Sequence, residues 1–210
     1  MNQLPIITGT VILAGAAAVL ALCLLKVSLY TKTAAAVLSA VAVCGIFFGS
    51  ALVLRVPAGF GQVRMLLLFP AFVCAAVFDA LTRKIPNFIP LYLLCAFGAI
   101  LLAEFILRKE GVLQELTGGL ISGMITVLFF FLCRFIAKGG IGYGDVKLLG
   151  AAATLLGLYG IIHLMIFAEL SALVYAAAGL LRKKLSLKDG IPFVPFILSG
   201  FLLMTAFGLM

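Results

Sequence analysis

The run Gly140-Ile-Gly-Tyr-Gly-Asp-Val-Lys147 is the most glycine-dense stretch of the chain, and it carries a carboxylate, Asp145, between two apolar segments. Glycine permits positive φ and close backbone approach. Irregular backbone at membrane depth is tolerated only where it is buried in protein or lines a cavity. The run therefore reads as the wall of a polar cleft in an otherwise apolar protein. An acid carried to such a place is expensive and calls for a functional reason.

The surrounding composition explains why membrane depth is the right frame. The 210 residues are 65% hydrophobic and 10% charged, with a mean hydropathy of +1.33. Soluble domains carry roughly a quarter charged residues. A soluble core of this size has no means of hiding so much apolar surface, so the expected fold class is all-α, a polytopic bundle of transmembrane helices in a lipid bilayer. The net charge of +8 is read as loop topology and not as affinity for nucleic acid. Five cysteines, Cys23, Cys44, Cys74, Cys95 and Cys133, lie far apart in apolar runs, and no CxxC pair occurs. They read as small packing residues, not as a zinc or redox site. No basic stretch precedes the first apolar run, which favours a retained first helix over a cleaved signal peptide.

A spanning helix needs about 20 mostly apolar residues. Charges, Pro and Gly then divide the chain into eight segments, at 5–25, 34–54, 63–80, 86–107, 112–136, 145–158, 160–181 and 191–209. The sixth is short and reads as broken or tilted, with a minimal turn at Tyr159-Gly160. With the N-terminus outside, the inner loops and flanks hold Lys26, Lys32, Arg83, Lys84, Arg134, Lys138, Lys147, Arg182, Lys183, Lys184 and Lys188. The outer ones hold Arg55, Arg64, Arg108 and Lys109. This asymmetry follows the positive-inside rule. It places Asp79 and Asp145 at the cytoplasmic ends of their helices. Gly45-xxx-Gly49 and Gly119-xxx-Gly123 read as close-packing surfaces between helices.

Only seven acids occur, so each can be weighed. Glu104, Glu110 and Glu115 surround one outer loop and read as solvated loop charges beside Arg108 and Lys109. Asp189 reads the same way within a basic loop. Glu169 falls midway along the seventh segment, where helix packing competes with a functional role. His163, the single histidine, reads as an interfacial or packing residue. Asp79 and Asp145 remain. Taken singly, each is also consistent with an interface salt bridge, Asp79 to Arg83 and Asp145 to Lys147 or Lys138. Taken together, they suggest a catalytic pair.

Two carboxylates a few ångströms apart cannot both ionise readily, so one holds a proton while the other is charged. Such a pair supplies a general acid and a general base at once. It can drive attack of a water on a peptide carbonyl with no metal, cofactor or nucleophilic side chain. The proton belongs to the pair and not to either residue. One histidine leaves no material for a His-Glu-x-x-His zinc site or most triads. A different class of protein also fits these acids: a small transporter in which Asp79, Asp145 and Glu169 form a proton or ion pathway. Transporters often repeat a broken helix in two related halves. This chain shows one glycine-rich break and no repeat.

Three motifs resemble the type IV prepilin leader peptidases, membrane aspartyl proteases with a GxGD signature. Asp79 is followed after five residues by Ile85-Pro86-Asn87. Gly142-Tyr-Gly144-Asp145 is followed by Val-Lys147-Leu-Leu. Ile191-Pro-Phe-Val-Pro-Phe196 opens the last segment, with Val194 where the family often has Gly. The resemblance covers about residues 70–210. It implies a catalytic pair at Asp79 and Asp145, with Gly142, Gly144, Lys147, Pro86 and Asn87 as supporting or substrate-binding residues. It also implies two N-terminal helices over 1–62 and a six-helix protease core over 63–210. The expected reaction is removal of a short basic leader from a prepilin or pseudopilin precursor at the cytoplasmic face of the cell membrane. The first loop, Lys26 to Thr33, lacks the paired CxxC motifs of larger members, so a peptidase without methyltransferase activity is expected. In this reading the glycines beside Asp145 leave room for an extended substrate backbone.

Overall fold

A computed structural model describes residues 60–107, 111–137, 140–183 and 190–208. Among these residues the chain is entirely helical: α1 is Phe60–Thr82, α2 Phe88–Leu107, α3 Val112–Ile136, α4 Tyr143–Leu181 and α5 Val194–Ala206. The two expected segments at 5–25 and 34–54 lie outside the described residues. Four helices, α1 to α4, are long and apolar enough to cross a membrane. Large apolar side chains cover their outer faces, among them Leu128 and Phe135 on α3 and Leu173 and Leu181 on α4. Apolar exteriors of this extent are stable against lipid and not against water. The protein is a multi-pass membrane protein.

Two expectations about the helices change. The sixth and seventh segments are one 39-residue element, α4, broken into two arms at Gly157. Gly157 has φ 71° and ψ 175°, a backbone state that L side chains avoid. The break therefore falls at the glycine and not at Tyr159-Gly160, both of which are helical. The last segment, expected over 191–209, forms only a 13-residue helix, about 20 Å long at 1.5 Å per residue. That is too short to span. Pro192 and Pro195 explain the late start, since Pro lacks the amide that a helix interior requires. Its buried residues include Ile197, Phe201 and Met204, so α5 is a core element.

α1 and α5 make the centre of the bundle. Phe72 meets Phe201 edge to face, with centroids 5.2 Å apart. Around them sit Leu68, Leu93, Leu148, Leu155, Leu164 and Ile197, all nearly inaccessible. Small residues let the backbones come close. A Cβ on Gly200 would sit 2.7 Å from the Leu164 carbonyl oxygen and 2.6 Å from the Ala168 nitrogen. Ser171 and Ser199 hydroxyls, 2.7 Å apart, join the same two helices. Between α3 and α4, a Cβ on Gly119 would lie 2.8 Å from the Thr154 carbonyl, and one on Gly123 3.1 Å from the Gly150 carbonyl. The Gly119-xxx-Gly123 pair is thus the packing surface its spacing suggested.

These contacts make α3 antiparallel to the first arm of α4, and the second arm antiparallel to α5. The end of α1, the start of α2, the end of α3 and the starts of α4 and α5 consequently share one end of the bundle. At the opposite end Arg64 bridges Glu104 at 3.1 Å and Glu115 at 3.0 Å. Glu104 is therefore not a solvated loop charge. It is 5% exposed and ties α2 to α1. Its partner Arg64 is 40 residues away, which hides the pairing from a local reading of the sequence.

Replacing Gly200 with Ala should destabilise the protein by about 1–3 kcal/mol, because the new methyl meets backbone that cannot move aside. Gly98→Ala, with nothing within 4 Å of the added carbon, should be neutral or gain up to about 1 kcal/mol. Thermal unfolding in detergent micelles checks the contrast.

Candidate active site

Asp79 lies near the end of α1, three residues before Thr82. Asp145 is the third residue of α4. The bundle brings them to its shared end, where Ile85, in the loop after α1, lies on Gly144, the residue before Asp145. Asp79 is 8% exposed and Asp145 is partly buried.

Each carboxylate lies at a helix N-terminus. The first four amides of a helix have no partner within it and form the positive end of its dipole. Val194, the first residue of α5, donates its backbone N–H to Asp79 Oδ2 at 3.0 Å, from 115 residues away in sequence. No side chain at Phe193 caps that helix, so Asp79 supplies the cap from another helix. Asp145 lies in the first turn of its own helix. Its carboxylate lies beside the backbone of Gly142, the N-cap residue. The Gly142 carbonyl accepts from Val146 N–H at 3.3 Å.

The loop between α1 and α2 is fastened to the start of α4 at two points. Ile85 lies on Gly144: a Cβ there would be 3.0 Å from Ile85 Cβ. Lys147 Nζ donates to Asn87 Oδ1 at 3.3 Å. Pro86 stands two residues ahead of α2, not within its first turn as expected, and its carbonyl accepts from Ile89 N–H at 3.2 Å. The loop leaves α1 through Arg83, at φ 51°, and the Thr82 hydroxyl donates to the Phe78 carbonyl at 2.8 Å.

The glycines have a different use from the one expected. A Cβ on Gly142 would come within 2.9 Å of Asp145 Oδ2, and the space above Gly144 is filled by Ile85. Both glycines make room for the site's own residues rather than open space for a ligand. The local salt bridges also fail to form. Among the described residues neither Asp79 nor Asp145 makes an ion pair, and Lys147 turns to Asn87. Lys138 lies outside the described residues.

Glu169 does not join the pair. It lines a separate open groove of about 320 Å³ with Ala172, Leu173, Ala176, Ile191, Phe193 and Phe196. His163 packs with its Nδ1 buried and without a hydrogen-bond partner. Among the described residues no three His, Cys, Asp or Glu side chains form a group able to hold a metal ion. Sequence reasoning missed the Val194 amide, because a backbone donor has no residue-type signature. Pro195 was the available signal, marking where a helix begins.

The fold and site are those of an all-helical membrane protein with an acid pair at one end of the bundle, and comparison with known proteins gives its class. A sequence profile of the type IV leader peptidase family matches residues 66–177. The chain belongs to that family. It is 30% identical over 147 residues to a prepilin leader peptidase/N-methyltransferase of Bacillus subtilis (strain 168), covering 67% of this chain and 56% of the relative. It is 29% identical over 142 residues to the protein of the same name from Dickeya chrysanthemi, covering 66% of this chain and 48% of that one. The chain thus spans about half the length of these curated relatives. No solved structure matches it.

Asp79→Ala leaves the buried Val194 N–H without an acceptor, at a cost of about 1–3 kcal/mol. Asp79→Asn keeps an acceptor oxygen and removes the charge, so it should be the more stable variant. Equilibrium unfolding of the two, compared with wild type, measures the worth of this bond.

Proposed function

We propose that this protein is a membrane aspartyl endopeptidase that removes the short basic leader from type IV prepilin-like precursors. The observation that carries the reading is the juxtaposition of Asp79 and Asp145 at one end of the bundle, each beside the start of a helix. Family membership and the name of the relatives support the substrate class.

The ionised member of the pair takes a proton from a water. The resulting hydroxide attacks the scissile carbonyl, and the protonated member donates to the developing oxyanion. Collapse of the tetrahedral species breaks the C–N bond, and the leaving amine takes a proton from the pair. The proton balance closes within the dyad. The Val194 amide fixes one oxygen of Asp79, so the remaining oxygen faces the reacting atoms with little reorganisation.

The active end faces the cytoplasm in this reading. Arg83, Lys84, Arg134, Lys147, Arg182 and Lys183 lie at that end or just beyond it, and Arg64 lies at the other. Such asymmetry is the mark of a cytoplasmic surface. Residues 63–210 hold the protease core in this reading. Only the peptidase half of the relatives' name is carried over, since the sequence holds no CxxC pair.

Membranes carrying the wild type should trim a prepilin at the glycine before its apolar segment. Asp79→Ala, Asp79→Asn, Asp145→Ala and Asp145→Asn should each abolish cleavage, as read by the mobility shift of the precursor. Normal trimming by any of the four would end the dyad reading. Glu169→Gln should still cleave, and loss of all cleavage in a folded variant would show that Glu169 also serves the reaction.

Gly144→Val places methyl groups against Ile85 and should reduce the cleavage rate between about ten- and a hundred-fold, since displacing a catalytic group by about an ångström costs on that order. A folded Gly144→Val protein with wild-type kcat would show that the Ile85 contact does not set the dyad.

A further inference from the structure

The segment between α3 and α4 holds Gly140 and Gly142 and ends three residues before Asp145. So glycine-rich a stretch would be expected to move, yet the Asp145 carboxylate lies against Gly142, within 2.9 Å of where a Cβ would stand, and depends on where that residue is held. One side chain brackets it. The Arg134 guanidinium Nη1 donates a hydrogen bond to the carbonyl oxygen of Ile141, the residue before Gly142. The same guanidinium lies over the ring of Tyr143, the residue after it, with its central carbon 3.7 Å from the ring centroid. Arg134 is partly buried in the last turn of α3. α3 is itself fastened to α4 along the glycine seam at Gly119 and Gly123.

We propose that Arg134 is a positioning residue for Asp145. It clamps both neighbours of Gly142 and thereby fixes the residue against which the carboxylate lies. Among the described residues no ion pair joins it to either aspartate. A planar guanidinium suits the task because it can donate at its edge while stacking through its face. A plainer role is available: a cation in the last turn of a helix complements the helix dipole wherever its side chain points. The two roles separate on Arg134→Lys. Lysine keeps the charge at the end of α3 and loses the flat face over Tyr143.

The test is amide hydrogen exchange on the full-length protein in detergent or nanodiscs, comparing wild type, Arg134→Lys and Arg134→Ala. Local loosening raises exchange in the affected segment alone. The expected result is exchange over residues 140–146 faster by about ten-fold or more in both variants, with α1 and α5 unchanged. Wild-type exchange in Arg134→Lys would assign Arg134 to the dipole and overturn the proposal. Equal acceleration across the whole bundle would show a general structural role and also overturn it.

The consequence for turnover rests on the peptidase reading and is measured separately. On a prepilin substrate, kcat should fall between about ten- and a hundred-fold in both variants while KM stays near wild type. Arg134→Ala combined with Tyr143→Ala should be little worse than Arg134→Ala alone, because the two side chains act as one unit. If wild type fails to cleave, the reaction assignment is lost while the exchange experiment still decides the clamp. If wild type cleaves and kcat is unchanged in both variants, the clamp does not position the dyad.

Discussion

Two acids held near each other must be stabilised by something other than each other. In this protein both lie at helix starts. Val194 N–H reaches Asp79, and the Asp145 carboxylate lies beside Gly142 at the start of its own helix. Amides at helix starts are unpaired in any helix, so the protein satisfies that of Val194 and secures Asp79 with the same bond. The requirement propagates outward. α5 must begin beside the end of α1, and α4 must begin beside the loop that follows α1. The antiparallel packing of α4 on α3 and α5 brings both about.

That packing rests on small residues. Gly119 and Gly123 let α3 lie against α4, and Gly200 lets α5 lie against the second arm. In lipid, apolar side chains gain little from meeting each other, so close backbone approach contributes more than it would in water. The break at Gly157 completes the arrangement by dividing α4 into two arms that serve different neighbours. The first arm presents Asp145. The second supports α5, whose start caps onto Asp79. One helix thus positions both members of the pair, one directly and one through its partner.

The charged groups divide in a similar way. Arg64, Glu104 and Glu115 tie three helices together at the end away from the aspartates. At the aspartate end Arg134 and Lys147 bind a carbonyl and an amide oxygen, Ile141 and Asn87, rather than the acids. The pair is left without a basic counter-ion among the described residues. In the proposed reaction a strong ion pair would hold an aspartate charged, and a bond from a backbone amide orients a carboxylate without adding a counter-ion.

The sequence alone determined the membrane class, the limits of α3 and the two candidate acids, because each rests on a local or compositional property. Apolar runs long enough to span are visible residue by residue, and α3 falls at 112–136 as read. A carboxylate beside three glycines is conspicuous in a chain with seven acids. Tertiary structure decided what those residues touch. The Val194 amide, the seat of Ile85 on Gly144, the burial of Glu104 and the separation of Glu169 from the pair all join or part residues distant in sequence. The glycines were legible as necessary, but the reason for them was not. Whether a missing side chain leaves room for a ligand or for a neighbour depends on where other helices lie, and here the neighbours Ile85 and Asp145 occupy the space.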